Sequence, residues 1–221
     1  AITPTKVDAM IVKKIQKAKT DSSHKRIGAL VGYINAPMNT SDKVSYTGTR
    51  NLASTDVDMI AMEMRTVADM SRSKDPYTHW VMSWREGEYP TKEQAGRAVD
   101  ILLKELGLHE NQAAYALHRD TDKIHVHLVV NRVHPDTHKV VEKNRGLDKE
   151  LACRAIALIE HEQGWRPAPN PLYTVDALGN LERRPDGETR AVGGKVADME
   201  RRTGVKSAMT IAIETVPTTL K

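Results

Sequence analysis

Residues 112–134 constrain this chain more than any other stretch. They read Gln112-Ala-Ala-Tyr-Ala-Leu-His118-Arg-Asp120-Thr-Asp-Lys-Ile-His125-Val-His127-Leu-Val-Val-Asn131-Arg-Val-His134. Two runs of strand composition flank Asp120-Thr-Asp-Lys, a turn signal, so strands over 112–119 and 124–134 are expected to fold back as a hairpin. Side chains alternate across a strand. Val126, Leu128 and Val130 therefore share one face, and His125, His127, Val129 and Asn131 share the other. The apolar face needs a cover. The expectation is an α+β fold, with helices on one face of a mainly antiparallel sheet and the histidines on the other.

The rest of the chain supplies such helices. A helix is expected over 24–35, stopped before Ala36-Pro37 because proline disfavours helix in the residue preceding it. Ser54-Thr-Asp-Val opens another, to about 71. Thr91-Lys-Glu-Gln carries a capping-box pattern, and its helix runs to about Leu106, ended by Gly107. A fourth runs from Leu147 to about Gln163 before Gly164. Thr78 to Arg85 has the aromatic and β-branched content of a strand. Residues 6–19 suggest a short amphipathic helix or a strand–helix element. Residues 38–52, rich in Gly, Ser, Thr and Asn, suggest a loop. Beyond Trp165 the run Arg-Pro-Ala-Pro-Asn-Pro reads as a linker, followed by a short hairpin around Gly179-Asn180 and one or two helices over 194–215. The division expected is a main domain over 1–165 and an extension over 166–221.

Composition excludes several classes. Charged residues make up 28% of the 221, and no apolar run approaches the roughly 20 residues that span a bilayer, so membrane insertion is not expected. The one cysteine, Cys153, rules out an internal disulfide framework and a cysteine zinc site. With no secretory leader visible, a cytoplasmic location is expected. Residues 1–50 hold nine Lys or Arg against three acids, which suits a polyanionic partner or simply a solvated face.

The chemistry concentrates in the hairpin. His118 ends the first strand, a short turn from His125 and His127. Three neutral imidazoles converging from two neighbouring strands suit a divalent cation with coordination positions left for a substrate. Ligating histidines usually give their second nitrogen to a carboxylate or amide. Asp120 and Asn131 are the groups in step to receive it.

The spacing H-x-D-x4-H-x-H-x3-N resembles the third motif of conjugative and mobilisation relaxases of the MOBP class, within the HUH endonuclease superfamily. Leu30-Val-Gly-Tyr33-Ile resembles the family's first motif, which carries a nucleophilic tyrosine on a helix. Tyr77-Thr-His-Trp-Val-Met-Ser83-Trp-Arg-Glu-Gly-Glu88 resembles its second, where a serine follows an apolar strand and holds DNA near the cut. The likeness covers about residues 20–165 and continues more weakly through Ala197-Asp-Met-Glu-Arg-Arg-Thr-Gly204.

The resemblance implies strand-specific transesterification on single-stranded DNA at a plasmid transfer origin. Tyr33 would attack a phosphodiester, leaving a 5′-phosphotyrosyl bond and a free 3′-hydroxyl. His118, His125 and His127 would hold a divalent metal, Mg or Mn first, with Zn or Co as further candidates. A phenol with pKa near 10 needs help to lose its proton, and Asp120 is the candidate, as base or as orienter of a histidine. Of six tyrosines, Tyr115 alternates away from His118, and Tyr46 is the main rival to Tyr33. Ser83 and Arg85, on the polar side of their strand with His79 and Val81, are candidate phosphate contacts, as are Lys25, Arg26 and Arg50. Accessory origin-binding proteins and a type IV secretion coupling protein are the implied partners. A rolling-circle replication initiator or transposase of the same superfamily and a non-cleaving origin-binding module remain alternatives; a small-molecule hydrolase would leave the basic N-terminal region and the first motif unexplained. In the replication initiators and transposases the tyrosine usually follows a two-histidine motif, whereas Tyr33 precedes the histidines.

Overall fold

A computed structural model describes residues 9–15, 23–35, 44–119, 122–142 and 147–185. The main sheet has five strands: β1 (Ile11–Ile15), β2 (Val44–Arg50), β3 (Tyr77–Ser83), β4 (Ala113–His118) and β5 (His125–Asn131). Their order is β1-β3-β5-β4-β2, and every neighbouring pair is antiparallel. The expected hairpin is β4–β5, with His118 directly opposite His125. It lies in the middle of the sheet, so both of its strands are paired on both sides.

Four helices cover the sheet: α1 (Ser23–Asn35), α2 (Val57–Asp69), α3 (Lys92–Glu105) and α4 (Asp148–Gln163). The capping box at Thr91 forms, its hydroxyl accepting from the Gln94 amide while the Gln94 side chain accepts from the Thr91 amide. For α2 the cap is Asp56, whose carboxylate accepts from the amides of Asp58 and Met59. Gly164 ends α4 in the left-handed conformation, φ 72°, which glycine adopts without strain.

Val126, Leu128 and Val130 form one core with Trp80, Met82, Tyr115 and Leu117, roofed by α3 and α4. Each such buried aliphatic side chain stabilises the fold by about 1.5–3 kcal/mol relative to exposure. The histidine face also carries helices. Ile27 and Val31 of α1 and Ile60 and Met64 of α2 pack on Ala114, Ala116, Val129 and Tyr77. The small alanines of β4 allow a helix to approach closely there. The α+β antiparallel architecture is thus as expected, with the refinement that the histidine face is roofed at one end.

Two segments differ from their sequence reading. Residues 44–50 form edge strand β2 rather than a loop. Gly48, which looked like a loop marker, answers a packing need: a Cβ there would lie 2.4 Å from the Tyr115 ring. Residues 11–15 are edge strand β1, paired with β3, where helical spacing of apolar residues had competed with strand. The hairpin around Gly179 is present as β6 (Tyr173–Val175) and β7 (Leu181–Arg183). It packs on α4 through Leu172, Tyr173 and Ala157. The helices expected over 194–215, and the stretch 197–204, lie outside the described residues. Among the described residues no helix is long and apolar enough to cross a membrane.

Candidate metal centre

The histidine face holds His118, His125 and His127, with one ring nitrogen of each within 4.8 Å of the others. Ring centroids stand 5.3 Å apart for His118–His125, 4.8 Å for His118–His127 and 5.2 Å for His125–His127. His118 is fully buried at the end of β4, while the two β5 imidazoles are half-buried. Strand geometry explains the cluster. His125 and His127 are two positions apart on one strand and so share a face, and register sets His118 directly across from His125.

The donor chemistry fits a divalent cation. Nδ1 of His125 lies 3.1 Å from the Lys123 carbonyl oxygen, which can only accept. In the neutral ring that nitrogen carries the proton, which leaves Nε2 the lone pair a metal needs. Nδ1 of His127 lies 2.9 Å from Nε2 of His79 on β3. Both imidazoles thus engage Nδ1 with the protein, and one ring nitrogen of each lies within 4.8 Å of the other candidate ligand atoms. The ring of Tyr33, in the last turn of α1, stands edge-on to His127 at a centroid distance of 5.6 Å and an interplanar angle of 87°. Tyr33 is 44% exposed, so solvent reaches it.

Residues 33–165, more than half of the chain, match the family described as relaxase, MobA/VirD2-like, nuclease domain. The chain belongs to this family. It is 49% identical over 158 residues to Protein MobA of Acidithiobacillus ferrooxidans, covering 71% of this chain and 38% of that protein. It is 29% identical over 181 residues to a Protein TraI of Escherichia coli, covering 80% of this chain and 22% of the relative. A second Escherichia coli Protein TraI is 28% identical over 204 residues, 90% of this chain and 24% of the relative. The chain spans less than two fifths of the length of these relatives.

The relaxase domain distributes the other expected residues unevenly. Ser83 sits directly opposite His125 in the β3–β5 register, beside the cluster. Asp120 and the side chains of Lys25 and Arg26 lie outside the described residues. Three assignments are corrected. Asn131 is four residues along β5 from His127, roughly 13 Å at the usual strand rise. Its amide donates to the Met64 carbonyl at 3.0 Å and to Gln112 Oε1 at 3.1 Å, and its Oδ1 accepts from the Val133 amide. It fastens β5 to α2 instead of orienting an imidazole. Arg85 lies beyond the end of β3, where strand parity no longer governs. It is buried and donates to the carbonyls of Arg166 and Pro167. Arg50 pairs with Ala113, on the opposite face. It binds Asp100 at 2.6 Å, and that hydrogen bond holds its guanidinium above its ordinary pKa. Neither arginine is placed to meet a phosphate at the histidines.

Geometry also separates the tyrosines. Tyr46 pairs with Leu117 on the helix-covered face, packs against Tyr115 at 6.2 Å and lies under Lys92. Burial pushes the Tyr115 phenol up. Burial and the hydrogen bond to Glu150 push Tyr173 up to about 12. Tyr77 donates to the Met64 carbonyl from within the core. Tyr33 alone among the described tyrosines has a ring contact with the histidine cluster. His79 is the residue that sequence reasoning passed over. Parity put it on the histidine face, but its link to His127 required the β3–β5 register.

Proposed function

We propose that this chain is a site- and strand-specific endonuclease and transesterase acting on single-stranded DNA at a plasmid transfer origin, initiating conjugative transfer. Membership of the relaxase nuclease family supports DNA cleavage. The single observation that carries the mechanism is the Tyr33 ring against His127 in a three-imidazole cluster. The Tyr33 oxygen forms a bond to phosphorus as the bond to the 3′ oxygen breaks, and the electron pair stays on that oxygen, which takes a proton. The products are a 5′-phosphotyrosyl chain and a free 3′-hydroxyl. One phosphoester is exchanged for another, so the reverse attack rejoins the strand.

His118, His125 and His127 would hold the divalent cation, Mg or Mn first and Zn or Co also compatible with imidazole donors. When bound, it supplies positive charge for the non-bridging phosphate oxygens. Asp120, between β4 and β5 in the sequence, takes the phenol proton or orients one of the histidines. Ser83 beside His125, with Lys25 and Arg26 on α1, contacts phosphates of the strand. The catalytic unit is residues 1–165, with 166–221 as an extension. Accessory origin-binding proteins and a type IV secretion coupling protein complete the assembly in the cytoplasm.

The test is incubation with single-stranded origin oligonucleotides and Mg²⁺ or Mn²⁺. A covalent protein–DNA adduct that disappears in chelator is expected. Oligonucleotide binding with no adduct in either metal would favour a non-cleaving origin-binding module. Adduct formation undiminished by chelator would remove the metal from the mechanism.

A further inference from the structure

The hydrogen bond between His79 and His127 has a consequence for the metal centre. His79 lies on β3 opposite Val129, two positions from Val81, the residue opposite His127. Its ring reaches diagonally across the strand pair, a span long side chains can bridge. The two ring centroids are 5.1 Å apart, and Nε2 of His79 is 2.9 Å from Nδ1 of His127. His79 is only 8% exposed, so water competes little for that bond. His79 is not one of the three clustered ligand candidates. It stands behind His127, as the Lys123 carbonyl stands behind His125.

We propose that His79 is the positioning residue of the metal centre, accepting the Nδ1 proton of His127 so that His127 Nε2 faces the cation. The inference rests on the reading of the three histidines as a metal site. An imidazole can ligate through one nitrogen only if the proton resides on the other. With His79 Nε2 in the accepting role, the contact at 2.9 Å selects that tautomer and holds the ring plane. His127 also touches Tyr33, so the same bond holds the ring against which the nucleophile rests. The contribution of His79 passes through His127.

The test measures Mn²⁺ binding by calorimetry on the wild-type chain and on His79→Phe, His79→Leu and His79→Gln, with melting curves in chelator to establish folding. Phe and Leu keep apolar bulk and remove the acceptor. Gln restores an acceptor oxygen near the position of Nε2. Mn²⁺ affinity is expected to fall about 10–100-fold in His79→Phe and His79→Leu and to be largely restored in His79→Gln. Wild-type affinity in the folded Phe or Leu variant would overturn the inference. So would a loss in His79→Gln equal to that in His79→Phe, since the role would then be packing. Absence of Mn²⁺ binding by the wild-type chain would instead overturn the metal-centre reading on which the inference stands.

Discussion

The two faces of the central hairpin put similar residue types to opposite uses. On the helix-covered face, Tyr46 and Tyr115 stack together, and Arg50 is held by Asp100 and by the Tyr115 hydroxyl. Every polar group in that set faces a partner, and the aromatic rings join the core beneath α3 and α4. On the other face Tyr33 is half exposed beside an imidazole cluster, in the last turn of α1. A tyrosine is thus packed among partners on one face and half exposed beside an imidazole, as a candidate nucleophile, on the other. The difference lies in what roofs the strand, not in the residues themselves.

Substitutions on the two faces can break that contrast. Tyr33→Phe should lower covalent adduct formation by about 10⁴-fold or more, as loss of a nucleophile does, while Tyr46→Phe should leave it nearly unchanged. An adduct that persists in Tyr33→Phe and vanishes in Tyr46→Phe would invert the comparison. His125→Ala should slow nicking by about 10³-fold, the scale of removing a main electrostatic stabiliser, and should spare much of the oligonucleotide affinity seen in a filter or polarisation assay. Leu128, between the two β5 imidazoles' face and α3, should behave oppositely: Leu128→Ala should cost about 3 kcal/mol in urea unfolding through the cavity it leaves, with metal affinity retained by the folded fraction. Asn131 sharpens the contrast within a single face. Asn131→Ala should destabilise by about 2 kcal/mol, because it strands the Gln112 and Val133 groups it now pairs. Its Mn²⁺ affinity should match wild type, and a fall of the kind expected for His79→Phe would return Asn131 to the metal centre.

Much of this was legible in the chain. Period-two alternation around one turn signal defined the hairpin, its apolar face and the pairing of His125 with His127. The capping box of α3 and the Gly164 stop of α4 were local signals and formed as read. What failed did so where local signals lose authority. Gly48 read as loop because a glycine serves a turn and a close ring approach equally well. Arg85 kept its parity on paper past the point where β3 ends. Arg50 falls in a stretch read as a loop, for which no face can be assigned, and the β2 register places it opposite Ala113. Asn131 shares the parity of the histidines, and parity carries no information on distance along the strand.

By itself, then, the sequence determined which side chains share a face and which residue types could hold a metal, since both follow from covalent geometry and imidazole chemistry. Only the tertiary structure decided how the strands line up and what covers them. Register across β3 and β5 is set by long-range packing, and it alone brought His79 to His127. The seating of α1 over the alanines of β4 depends on side chains far apart in the chain, and it alone brought Tyr33 to the same imidazole.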